Sequence, residues 1–101
     1  MTSSPSRLRL LPWNDPEGKP AYLATDGSAT PLALLADRIE DDQLNTGAAV
    51  LKLSRDMLSA DEQPTADEAL FIAQRLAECL TDALRIAESR GRRIPPYTDE
   101  G

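Results

Sequence analysis

Cys79 is the only thiol in a chain of 101 residues that contains no histidine. A nucleophilic or redox cysteine works as a thiolate, kept ionised by a nearby cation, a helix N-terminus or a histidine base. Cys79 lies instead in the middle of an apolar-patterned run, between Leu76 and Ala83, and reads as an inert core thiol. Without histidine no Ser-His-Asp triad can be assembled. Ser-Lys chemistry would fall to Lys19 or Lys52, and nothing beyond Ser54 supports Lys52 in that role. Asp37, Glu40, Asp41 and Asp42 form an acidic cluster. A divalent-metal site needs carboxylates converging from separate turns or helices. Glu78 and Asp82 are the later candidates, but both fall on a polar stripe. The expected reading is a solvated acidic face, available to a basic partner, with no metal and no other cofactor. The five glycines are scattered, so no phosphate-cradling loop is present. Arg90, Arg92 and Arg93 gather where a helix should end, and there they complement the negative end of its dipole. Pro95-Pro96-Tyr97 lacks the spacer of a Pro-Pro-x-Tyr ligand and reads as part of a tail.

The residues able to do chemistry are thus few, and the composition points the same way. Eleven basic against seventeen acidic residues give a net charge of −6, which opposes nonspecific binding to nucleic acid or anionic membranes. At 41% hydrophobic and 28% charged the chain is globular in type. Aromatics are only 4%, so leucine and alanine must build the core, which suits helix-on-helix packing. A single cysteine closes no internal disulfide, and a reducing cytoplasm is the expected setting. No run of eighteen apolar residues suggests a membrane span. Leu8 to Leu11 is too short for a signal peptide core and contains Arg9.

Five segments follow from the local signals. Residues 1–6 read as a disordered tail. Residues 7–29 read as an extended arm or short β-hairpin, because Asn14-Asp15-Pro16-Glu17-Gly18 is a dense turn signal and Asp26-Gly27-Ser28 a second one. Trp13, Tyr22 and Leu23 would lean on the helices. Thr30-Pro31 starts a helix, with threonine as N-cap and proline at the first helical position. It should run to about Ser59 along a seam of Leu32, Ala36, Ile39, Gln43, Thr46, Val50, Leu53, Met57 and Ala60, whose spacing alternates four and three. Leu44, Ala48, Leu51 and Leu58 widen that face. Gly47 leaves two readings open, a continuous helix, which is favoured, or a break near Asn45-Thr46-Gly47. Gln43 and Thr46 either specify register or, the favoured reading, face water on a rotated or broken helix. After a short polar connection, Thr65 and Glu68 have capping-box spacing and open a second helix over residues 65–90, with a stop at Gly91. Residues 91–101 read as a flexible tail.

The second helix carries two apolar seams. One is Leu70, Ala73, Ala77, Leu80, Leu84 and Ala87; the other is Ile72, Leu76, Cys79, Ala83 and Ile86. One antiparallel neighbour covers one of them. The other must meet the N-terminal arm, with Trp13 and Tyr22 as plugs, or a second chain in a four-helix bundle. The sequence therefore predicts a mostly α fold, a long antiparallel helical hairpin with a short N-terminal arm, pairing into such a bundle. The expected function is a small non-catalytic cytoplasmic protein acting through helix-mediated contacts, as a homodimer or with another protein. The interface would draw on Trp13, Tyr22, Leu70, Ile72, Leu76, Cys79, Leu80, Ala83, Leu84 and Ile86. The alternatives are a small-ligand or enzyme-accessory role, with a pocket lined by Trp13, Tyr22, Gln43 and Thr46, and a regulatory partner of a DNA-binding protein without direct contact to nucleic acid.

Overall fold

A computed structural model describes residues 7–93. The order is β1 (Arg7–Asn14), β2 (Pro20–Thr25), α1 (Pro31–Ser59) and α2 (Ala66–Arg93). The fold is a helical hairpin preceded by an antiparallel β-hairpin. Of the tails expected at residues 1–6 and 91–101, residues 91–93 belong to α2 and the rest, with Pro95-Pro96-Tyr97, lies outside the described residues.

Short-range chemistry closes the β-hairpin. Asp15 Oδ1 accepts from the amides of Glu17 and Lys19, both at 2.9 Å. Gly18 takes φ +82°, which a side chain would resist. Within the second turn signal, the Ser28 hydroxyl and then its amide hold the Asp26 carboxyl below its usual range. The register is regular from Arg7↔Thr25 to Leu10↔Tyr22, then jumps to Asn14↔Pro20. β1 thus advances further than β2 around Pro12, which has no N–H to give the ladder. The jump has a packing consequence. In a regular strand Leu10 and Leu11 would face opposite ways; here Leu10, Leu11 and Pro12 are all buried. These residues anchor the hairpin on the helices. Trp13 is only half-buried and Tyr22 is 44% exposed, so the expected aromatic plugs are replaced by leucines.

Both helix starts carry the expected caps. Thr30 Oγ1 accepts from the Ala33 amide at 3.2 Å with Pro31 behind it. The Glu68 amide donates to Thr65 Oγ1 at 3.1 Å, and the Thr65 amide to Glu68 Oε1 at 2.8 Å. The end of α2 differs from expectation. Gly91 does not take a left-handed φ, and the helix continues to Arg93. Side chains beyond the glycine hold that extra turn: Arg92 pairs with Glu88 at 2.7 Å, and Arg93 Nε donates to the Ser89 carbonyl at 3.3 Å.

α1 is continuous through Gly47, and the face it turns inward is shifted by about one residue from the leucine-rich line. The positions withdrawn from solvent are Ala33, Ala36, Ile39, Glu40, Gln43, Gly47, Val50, Ser54 and Met57. Ala36, Ile39, Gln43, Val50 and Met57 belong to the expected seam, whereas Leu32, Thr46 and Leu53 give way to their C-terminal neighbours and Glu40 is buried beside the half-buried Ile39. Small residues thus occupy the close approach, and leucines flank it on both sides. Thr46 faces water; Gln43 is half-buried. A Cβ added at Gly47 would meet only Cys79 Cβ, at an ordinary contact distance of 3.8 Å. Gly47→Ala is therefore expected to stabilise the protein by up to about 1 kcal/mol through helix propensity. A raised urea midpoint would bear this out; a lowered one would mean that the helices approach too closely there for a methyl group.

Candidate interaction face

Two regions need a functional account, and the first is polar. Arg9 on β1 is 5% exposed, and Glu40 on α1 is 1% exposed. Arg9 Nη2 lies 2.7 Å from Asp37 Oδ1 and 3.3 Å from Glu40 Oε1, while Arg9 Nη1 donates to the Ala33 carbonyl at 3.2 Å. From α2, Arg93 approaches Glu40 Oε1 at 3.5 Å and Arg90 at 3.7 Å. Ser89 Oγ donates to the Leu10 carbonyl at 2.8 Å, and Gln43 Nε2 to the Pro12 carbonyl at 3.4 Å. Every element except β2 contributes a side chain. Arg9 Nε and Glu40 Oε2 have no partner among the described residues.

This arrangement corrects two expectations. The acidic cluster is not uniformly solvated, because Glu40 falls on the inward face next to Ala36 and Gln43. Arg90 and Arg93 do more than complement the dipole of α2, since they reach across to α1. Arg9, Ser89 and the burial of Glu40 escaped the sequence reading. One signal was available: Ala36, Glu40, Gln43 and Gly47 recur at four, three and four residues, a second line of small and polar residues beside the leucines. The site is architectural in character. Charges of both signs interleave, and among the described residues no three His, Cys, Asp or Glu side chains are gathered in a metal-holding group.

The second region is apolar and begins where the β-hairpin stops. A groove between the helices is lined by Leu44, Gly47, Ala48 and Leu51 of α1 and by Leu76, Cys79, Leu80 and Ala83 of α2, with Gln43 at its end. Leu80 and Leu84 are 59% and 62% exposed. Of the two seams on α2, Ile72, Leu76, Cys79, Ala83 and Ile86 turn toward the rest of the chain, whereas Leu70, Leu80 and Leu84 remain open. Ile86 is buried within the chain, so it is not available to a partner as expected. Trp13 and Tyr22 belong to the β-hairpin and do not line the groove. A further hollow near the helix connection is lined by Leu53, Met57, Phe71 and Ile72. No described helix is long and apolar enough to cross a membrane. Comparison with protein families, with curated proteins and with solved structures finds no match to this chain.

Proposed function

We propose that this protein is a non-catalytic docking module, a cytoplasmic regulator or adaptor that binds another helical surface through the open groove between α1 and α2. The supporting observation is that exposed leucines line that groove, Leu44 and Leu51 on one helix and Leu80 on the other, with the exposed Leu84 one turn beyond Leu80. Apolar surface gathered in one stripe is what soluble proteins keep for contacts. The polar cluster has a supporting role in this reading: it locks the β-hairpin across the helix ends and leaves the mid-length groove uncovered. Gln43 is tied to Pro12, so the alternative of a small-ligand pocket around Gln43 and Thr46 has no observation in its favour.

Site-specific photo-crosslinking in the native host tests the proposal. A benzoylphenylalanine at position 84 is expected to give discrete covalent adducts with protein. The same group at the exposed Gln74 position, on the polar stripe, is expected to give none. Equal labelling from both positions, or none from position 84, would count against the groove as a contact surface.

A further inference from the structure

We infer that the occupant of the groove is a second copy of this chain, with α1 packed antiparallel on α1 of that copy about a two-fold axis at Ala48. The inference rests on the reading of the groove as a contact surface and adds the partner's identity and register. Asp41, Leu44, Ala48, Leu51 and Arg55 recur at three, four, three and four residues, which places them on one stripe of α1. Leu44, Ala48 and Leu51 of that stripe line the groove.

The stripe reads the same in both directions: acidic or basic at its ends, leucine next, alanine at the centre. Turned end for end about Ala48, it brings Asp41 of one copy to Arg55 of the other, twice by symmetry, and sets Leu44 beside Leu51. A self-complementary patch of this kind is what a two-fold interface requires. Parallel stacking in the same register would instead oppose Asp41 to Asp41 and Arg55 to Arg55.

Two further observations fit. Arg55 is exposed and enters none of the ion pairs formed among the described residues. Asp41 has only a long contact to the half-exposed Arg90, at 3.8 Å. Ala48 at the axis permits close approach of the two backbones. Size also fits. From Asp41 to Arg55 the stripe is about 21 Å long at 1.5 Å per residue, and two packed helices are roughly 20 Å wide, on the order of 400 Å2 in projection. That is the size of the largest apolar patch a monomer leaves open, and about half of one side of a standard interface, about 800 Å2 of accessible surface.

Light scattering on the full chain at about 50 µM should give twice the monomer mass. Asp41→Arg or Arg55→Asp alone should weaken the dimer at least tenfold, and the two together should restore it. Circular dichroism reports whether each variant keeps its helices, and the rescue by the double exchange is a readout that misfolding cannot imitate. In a Cys79→Ala background, Ala48→Cys should be joined to its counterpart by a disulfide under a copper-phenanthroline oxidant. A dimer indifferent to the charge exchange, or one that position 48 fails to link, would overturn the antiparallel arrangement. A monomer would overturn self-pairing altogether. If that monomer still forms adducts with another protein from position 84, the docking reading stands without this one; if it forms none, both fall.

Discussion

Glu40→Ala is expected to lower the stability of the protein by about 3 kcal/mol, the low end of the cost of breaking a buried ion pair from one side. Glu40 is 1% exposed and faces Arg9 at 3.3 Å, with Arg93 and Arg90 at 3.5 and 3.7 Å. Arg90 and Arg93 are partly exposed and can turn to water. Arg9 cannot. It would keep Asp37 and the Ala33 carbonyl, which is why the low end applies. Arg9→Met should cost a similar amount, by leaving the Glu40 carboxylate enclosed. The double variant Arg9→Met with Glu40→Leu should cost clearly less than the two single changes added together, because it removes both buried charges at once. Urea denaturation of the four proteins measures the cycle. A loss under about 1 kcal/mol for Glu40→Ala would show that the cluster stabilises little, and additive costs would show that Arg9 and Glu40 are not coupled. The effect should persist in high salt, since buried pairs are weakly screened.

Leu11→Ala should destabilise by about 2–5 kcal/mol, the range for removing a buried leucine. The apolar core of the described residues is small: Leu10, Leu11, Ala33, Ala36 and Ile86 are its fully buried members, and Leu11 is 3% exposed. Two of those five lie on β1, so the β-hairpin and the helix ends share one core. An isolated two-stranded hairpin is marginal in water; removing its main anchor should release it ahead of global unfolding. Hydrogen exchange should then show β1 and β2 losing protection before the middle of α1 and α2. Tyr22→Ala is the contrasting case. Tyr22 is 44% exposed, and its loss should remain within about 0.5 kcal/mol, as for most surface changes. Equal costs at the two positions would mean that the aromatic holds the hairpin after all.

The residues that define the elements act over a few positions, and that is why they could be read. Thr30-Pro31, the Thr65–Glu68 exchange and the Asp15–Gly18 turn each satisfy backbone groups within four residues of themselves. Alternation of three and four residues likewise makes α1 and α2 helices whatever they pack against. The jump at Pro12 was less legible. A proline in a strand announces an irregularity, but not that Leu10, Leu11 and Pro12 will all be buried. Gly91 misled in the opposite direction: its local signal for a stop was outweighed by Arg92 and Arg93, which pair within α2 and across to Glu40.

By itself, then, the sequence determined two capped helices, their short connection, a hairpin turn before them and an excess of apolar surface. Only the tertiary structure decided which of two neighbouring lines on α1 turns inward. Hydrophobicity favoured Leu32 and Leu53; the fold uses Ala33, Gly47 and Ser54, because helices approach closely where side chains are small, and it buries Glu40 on the same line. That choice leaves the leucines beside the groove in water. Arg9 meets Asp37 across 28 positions, Arg93 meets Glu40 across 53, and Ser89 meets Leu10 across 79. Pairings at such separations depend on how whole elements are juxtaposed, a relation that no local propensity encodes.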